Sequence, residues 1–264
     1  MGKIVTSAYP ITSANGIKIN TSIKCNSSNY GNDSNRQIKY IVLHYTGNPK
    51  DTAKANANYF KGANRQASAH YFVDNTSIYQ SVELRDVAWH CGGYTYYHKY
   101  CRNSNAVGIE MCCSGDYKVS ATTIKNAAHL TAELCEYLNI KSSEVDTYVL
   151  RHYDITHKKC PAQMANSQND PDWIAFKKLV KEILDGDKKA TTSTSTTSTA
   201  NKSKEFKVKV TADVLNIRAG ASTTYKVVGQ IKDKGIYTIV KQSGSWGKLK
   251  SGAGWISLSY TKRV

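Results

Sequence analysis

A chain of 264 residues, 40% of them apolar, holds one or two globular domains, and no run of eighteen apolar residues marks a membrane span. Thirty-six Lys/Arg against twenty Asp/Glu give a net charge of +16, which steers the chain toward a polyanionic surface. No helix-turn-helix, zinc-finger or RNP-type pattern accompanies that charge, so nucleic acid is not the expected partner.

Residues 1–10 lack the apolar core of a secretory signal, so synthesis in the cytoplasm without a signal peptide is expected. The seven cysteines, an odd number, are expected to remain thiols in such a chain; Cys91 and Cys101 are left open as a pair outside a cell. An apolar run over 39–44 predicts a strand ending at His44, and a helix is predicted over 52–61. His70 precedes Tyr71, Phe72 and Val73 in a short strand and reads as a packed, hydrogen-bonded histidine. The tyrosine-rich run 94–100 suits either stacking on a sugar or peptide, or covering the core.

The apolar stretch 106–109 ends in Glu110, and Cys112 and Cys113 lie in or beside that strand. A carboxylate in such a place is poorly explained as surface, because burial without a partner is costly. A helix is predicted over 122–138, then a strand over 147–151 followed by His152. Over 172–184, Trp173, Phe176, Leu179, Val180, Ile183 and Leu184 recur at helical spacing. Helices between strands predict an α/β domain, with helices packed on a mixed central sheet, over 1–186.

Residues 187–204 are Thr/Ser/Lys-rich and bury no core, which predicts a flexible tether. Short strands at 206–210, 227–231, 235–242, 246–249 and 254–257, separated by Gly-containing turns, predict a small all-β barrel over 205–264. That unit is the denser positive field: eleven Lys/Arg against three Asp/Glu give +8, while twenty-one against sixteen give +5 for 1–186.

His44, His152 and Cys160 carry the chemistry. Two neutral imidazoles and a thiolate make a three-ligand zinc site, and three ligands leave the fourth tetrahedral position open, as in catalytic rather than structural zinc. Zinc so held lowers the pKa of its bound water to about 7, the activation that hydrolysis at neutral pH needs. A cysteine-nucleophile reading needs an exposed thiolate paired with a histidine base, which Cys160-Pro161 in a Lys-rich loop does not offer.

Five segments in order, 41–48 (IVLHYTGN), 68–74 (SAHYFVD), 88–92 (AWHCG), 105–110 (NAVGIE) and 151–161 (RHYDITHKKCP), resemble the zinc-dependent N-acetylmuramoyl-L-alanine amidases of the type-2 amidase and peptidoglycan-recognition-protein superfamily, many phage endolysins among them. The resemblance covers about residues 36–184. It implies zinc held by His44, His152 and Cys160, catalytic roles for Glu110 and Lys158, and a substrate groove lined by Trp89, His90 and Asn105. Ala162 departs from the Gly that commonly follows Cys-Pro. Residues 215–225 (LNIRAGASTTY), with Gly229, Gly235, Trp246-Gly247 and Gly254-Trp255, resemble bacterial SH3-like wall-targeting modules over about 205–264. Together these imply a Gram-positive peptidoglycan hydrolase acting at the wall after release, cleaving the bond between N-acetylmuramic acid and L-alanine. The alternative from another class is a recognition protein that binds muropeptide without cutting it; an open zinc site with Glu110 and Lys158 argues for cutting.

Overall fold

The run Tyr40–Tyr45 shows how the sequence sorts its faces. Side chains of a strand alternate, so Ile41 and Leu43 enter the main core while Tyr40 and Val42 join a separate cluster on the opposite face. His44 belongs to that second face by the same alternation. The computed structural model describes residues 2–5, 7–33, 35–191, 205–218, 220, 227–243 and 246–264, in two units, Met1–Thr194 and Ser195–Val264.

The first unit opens with β1 (Lys3–Ile4), β2 (Ser13–Ala14), β3 (Ile17–Asn20), β4 (Tyr30–Asn32) and β5 (Gln37–Ile38). It continues with β6 (Tyr40–Tyr45), α1 (Ala53–Lys61), β7 (Tyr71–Val73), β8 (Ile78–Gln80), β9 (Asp86–Ala88) and β10 (Ala106–Met111). Next come α2 (Ala121–Leu138), α3 (Val145–Tyr148), β11 (Val149–Arg151), α4 (His152–Thr156) and α5 (Pro171–Thr191). The central sheet runs β11-β6-β10-β7-β8-β3-β2 and is mixed: β6 pairs parallel with both β10 and β11, while β7–β8 and β3–β2 are antiparallel.

One sheet face is covered by α2 and α5. Ile41, Leu43, Ile109, Leu134, Phe176 and Val180 pack there into a single cluster. Truncating a fully buried leucine such as Leu134 to alanine costs about 2 to 5 kcal/mol. Helix α2 is bounded locally: the Ser120 hydroxyl accepts the Thr123 N–H at 3.1 Å, and Asn139 closes the other end in the left-handed region. The opposite face carries only short cover, Ala53 and Ala57 of α1 against Phe72 and Ile155 of α4 against Val42. The ends of β6 and β10 are therefore left accessible to chemistry on that side.

Helix α5 continues to Thr191, past the 186 at which the sequence reading ended the first domain. Lys188, Lys189 and Ala190, residue types of good helix propensity, follow the poor helix former Gly186 in sequence. The rest of the expected tether, 192–204, lies outside the described residues.

The second unit is all-β: β12 (Phe206–Val210), β13 (Leu215–Arg218), β14 (Val227–Ile231), β15 (Ile236–Ser243), β16 (Trp246–Leu249), β17 (Trp255–Ser257) and β18 (Thr261–Arg263). Its sheet order is β14-β13-β17-β16-β15-β12-β18, closed over Val208, Leu215, Ile217, Ile239, Leu249 and Ile256. Strands β13 and β18 were not among the five expected. Gly254 has φ +138°, and a Cβ there would stand 2.5 Å from the Arg218 carbonyl oxygen, so the approach of these two backbones requires glycine.

Candidate active site

The structure brings His44, His152 and Cys160 together: one ligand atom from each lies within 4.8 Å of the others, and all three residues are buried. His44 is the last but one residue of β6, His152 is the first residue of α4 directly after β11, and Cys160 follows on the loop beyond α4. Adjacency of β6 and β11 in the sheet thus brings residues 108 positions apart side by side. The Cys160 carbonyl accepts the Tyr153 N–H at 3.0 Å, which folds the loop back onto α4. His44 Nδ1 stands 3.7 Å from Cys160 Sγ.

The donor set suits a metal in three respects. His152 Nε2 faces the Gly92 carbonyl oxygen at 3.2 Å, and that oxygen only accepts, so the ring proton sits on Nε2. Its Nδ1 is then a bare lone pair, buried and without a hydrogen-bond partner. Burial, reinforced by Lys158, pushes His152 down to about 4, and burial with its histidine neighbours holds His44 well below the usual imidazole range, so both rings are neutral ligands. Two imidazoles and one thiol are a zinc donor set. Burial pushes the Cys160 thiol up to about 12, with Glu110 adding to the rise. A buried thiol that keeps its proton is not the exposed thiolate that the cysteine-nucleophile reading needs.

Glu110 pairs with His44 across the parallel β6–β10 ladder, on the same face. Its Oε2 is buried with no hydrogen-bond partner. Desolvation pushes its carboxyl up to about 7, against the pull of the Lys158 ammonium and with a push from Asp51. Lys158 is exposed two residues before Cys160. Two clefts meet these groups. One, of about 480 Å³, is lined by Asn48, Asp51, Asn56, Tyr59, Phe72 and Glu110. The other, of about 390 Å³, is lined by Gly92, Gly93, Tyr94, Tyr97, Thr156 and Lys158. Tyr94, Tyr97 and Tyr100 are exposed, so the tyrosine run does not serve to cover the core. Tyr97 stacks on His157 with ring centroids 3.6 Å apart, fixing that wall to the end of α4.

The expected groove residues are placed differently from one another. Trp89 is 37% exposed and lies beside Gly31 of β4, outside both clefts. His90 is buried, with its ring turned to His44. Asn105 is not brought to the triad. It precedes β10, five residues from Glu110, about 17 Å along a strand. Its side chain accepts the Arg102 N–H at 2.9 Å and donates to the Tyr100 carbonyl at 2.9 Å, a local loop brace. The sequence reading assigned no role to the Gly92 carbonyl or to Asp51, whose carboxylate is held by the Cys113 N–H and by Asn48 and Asn56. His70 is packed as expected, its Nδ1 accepting the Gly108 N–H at 3.0 Å. In the second unit a cleft of about 480 Å³ is lined by Asn216, Arg218, Trp246, Ser257 and Tyr260 among others.

Residues 34–163 match the family described as N-acetylmuramoyl-L-alanine amidase, and residues 213–262 match the bacterial SH3 domain. The chain is 35% identical over 155 residues to a probable N-acetylmuramoyl-L-alanine amidase of Bacillus licheniformis, a match covering 56% of this chain and 42% of that protein. It is also 35% identical over 162 residues to the N-acetylmuramoyl-L-alanine amidase BlyA of Bacillus subtilis (strain 168), with the same coverages, 56% and 42%. A solved structure described as a mutant endolysin from Bacillus subtilis superposes with a TM-score of 0.50 at 27% identity, over 62% of this chain and 99% of that one. The chain thus spans less than half the length of these curated relatives.

Proposed function

We propose that this chain, whose residues 34–163 match the N-acetylmuramoyl-L-alanine amidase family and residues 213–262 the bacterial SH3 domain, is a zinc-dependent peptidoglycan hydrolase, cutting the amide between N-acetylmuramic acid and L-alanine. The observation that carries the reading is the buried Glu110 Oε2, without a partner among the described residues, one ladder rung from His44 of the three clustered ligand residues. His44, His152 and Cys160 would hold zinc, which when bound supplies Lewis-acid activation of water and of the amide carbonyl.

The chain's own groups do the rest. Glu110 takes a proton from the attacking water and returns it to the departing L-alanine nitrogen. The Lys158 ammonium offsets negative charge growing on the carbonyl oxygen. The cleft beside Tyr94 and Tyr97 and the cleft beside Asp51 hold the two sides of the scissile bond. Residues 1–186 form the catalytic part of this reading, 187–204 the linker, and 205–264 the wall-binding part, with Gram-positive peptidoglycan as partner.

The direct test is digestion of purified peptidoglycan followed by mass spectrometry of the products. New L-alanine amino termini on intact glycan strands are the expected result. New reducing sugar ends, or no product, refute it. Lys158→Met should lower turnover about 10²- to 10³-fold. Because Lys158 is exposed, thermal melting of that variant should stay within about 0.5 kcal/mol of the parent. A turnover unchanged in Lys158→Met would remove the lysine from the mechanism.

Zinc uptake should depend on pH chiefly through the Cys160 thiol. Coordination requires thiolate, and Cys160 holds its proton up to about 12 while His152 has lost its own by about 4. Each ion bound should therefore release at least the Cys160 proton, and affinity should rise about tenfold or more per pH unit between pH 6 and 8, where Glu110 also titrates. Calorimetric titration in buffers of different ionisation enthalpy counts the protons released; a count of zero contradicts the assignment.

The second unit should act as a tether to the wall, raising local concentration without altering the active site. A fragment of residues 205–264 should sediment with purified walls and cut nothing, and added salt should release it in part, since exposed charges are screened beyond about 8 Å. A fragment that stays in the supernatant refutes the targeting role alone.

A further inference from the structure

His44 and His152 are held by different means. His152 gives its Nε2 proton to a main-chain carbonyl, that of Gly92. Among the described residues the Nε2 of His44 meets no carbonyl; at 3.0 Å it meets the Nδ1 of His90, the two rings standing edge to face at 84° with centroids 5.1 Å apart. We propose that His90 is the positioning residue of the metal centre, accepting the Nε2–H of His44 on its Nδ1 and so aiming the His44 Nδ1 lone pair at the point shared with His152 and Cys160. The inference rests on the reading of these three residues as metal ligands, but not on the reaction assigned to them.

The direction of the hydrogen bond follows from the far side of the ring. His90 Nε2 faces the Ala106 carbonyl oxygen at 3.5 Å, which only accepts, so the proton of His90 lies on Nε2 and its Nδ1 is a bare acceptor. The same carbonyl also accepts from the buried Arg36 guanidinium, which fixes it in place. The main chain of His90 is pinned as well, its N–H donating to Asn103 Oδ1 at 3.0 Å.

Space for the ring is made by one residue. A Cβ on Gly108 would stand 2.5 Å from His90 Cγ and 2.8 Å from its Nδ1, so β10 carries glycine where the imidazole lies flat against the strand. His70 closes the column below, its ring 5.7 Å from His90. Packed on three sides and 9% exposed, His90 has one orientation to offer His44. An imidazole ligand whose outer nitrogen is so held keeps one tautomer and one ring angle, an effect worth about 10- to 100-fold in metal affinity.

Two variants separate this role from packing. His90→Leu fills the space and removes the acceptor, whereas His90→Asn leaves some space empty but keeps an oxygen near the place of Nδ1. Zinc affinity, measured by competition against a chromophoric chelator, should fall about 10- to 100-fold in His90→Leu and recover to within about threefold of the parent in His90→Asn. The d–d spectrum of the cobalt-substituted protein should shift in the first variant and return in the second. A leucine variant that binds zinc like the parent, or two variants equally weakened, overturns the proposal.

Should neither variant fold, long-range proton–nitrogen spectra of the unaltered metal-free protein decide the matter. They should place the ring proton on Nε2 in both His44 and His90, and a proton on Nδ1 of either overturns the assignment. A parent that binds no zinc refutes the metal reading, and these spectra still report the His44–His90 bond. A protein that binds zinc with this tautomer pattern but leaves peptidoglycan intact refutes the hydrolase reading alone.

Discussion

His152→Ala is expected to lose bound zinc and to bring turnover to background while keeping its fold. The substitution removes the one ligand nitrogen that is buried with no partner in the metal-free protein. It also orphans the Gly92 carbonyl, a loss of about 0.5 to 1.5 kcal/mol. The main core lies on the other face of the sheet, under α2 and α5, and does not include His152. Metal analysis should therefore read close to zero, while thermal melting of the metal-free variant falls only slightly below that of the metal-free parent. Chelation of the parent should copy the variant, and returned zinc should rescue the parent only. A zinc-free His152→Ala protein that still turns over would remove metal-assisted hydrolysis altogether.

Glu110→Gln separates chemistry from coordination. Turnover should fall by about 10² to 10⁴, the usual loss on removing a general base, while zinc content stays at the parent level. Stability should move the other way. In the metal-free parent the Glu110 carboxyl is raised from 4.5 to about 7, chiefly by burial. A carboxyl raised on folding contributes stability fully present below its unfolded value and lost as pH rises through its folded value. The parent should thus lose about 3 kcal/mol between pH 4.5 and 7.5, a loss absent from the glutamine variant. Above pH 7.5 the variant should melt higher. Equal slopes of stability against pH in the two proteins would show that Glu110 is not desolvated, and near-normal turnover would show that another group moves the proton.

The site was legible in the sequence where a functional residue ends a periodic element. Apolar alternation through Tyr40–Tyr45 brings His44 to a strand end, and the short Val149–Arg151 does the same for the residue after it. Glu110 stood out because an ionisable group closing Ala106-Val107-Gly108-Ile109 has no surface explanation. Helices α1 and α2 were placed to within a residue, since Thr52 and Ser120 cap them by side-chain hydrogen bonds that act only locally.

What sequence did not reveal is set by tertiary contact. The two residues of the His44–His90 pair are 46 positions apart, and nothing in either segment announces the other. One signal was present: a glycine inside a strand marks close approach of another group, and Gly108 is that glycine. Asn105 sits one residue before β10, so its distance from Glu110 was countable, yet motif resemblance placed it in the groove. Strand β13 alternates buried Leu215 and Ile217 with half-buried Asn216 and Arg218, a two-residue period masked by the turn-like Gly220, Ser222 and two threonines that follow in sequence. Strands β2 and β3 are two and four residues long, too short for periodicity to register.

The β6–β10 ladder runs in unbroken register from Ala106 opposite Tyr40 to Met111 opposite Tyr45. Such a ladder decides which kinds of inherited change this domain can absorb. Adding or deleting one residue within either strand would swing His44 or Glu110 to the helix-covered face, so length variants there are eliminated at a stroke. The tyrosine-bearing segment between Cys91 and Cys101 has no such phase to keep and can gain or lose residues singly. Among descendants of such a chain, the reaction should be transmitted as an indivisible block while the cleft beside it drifts, and wall preference is expected to diverge through insertions and deletions in that segment rather than through changes to the strands.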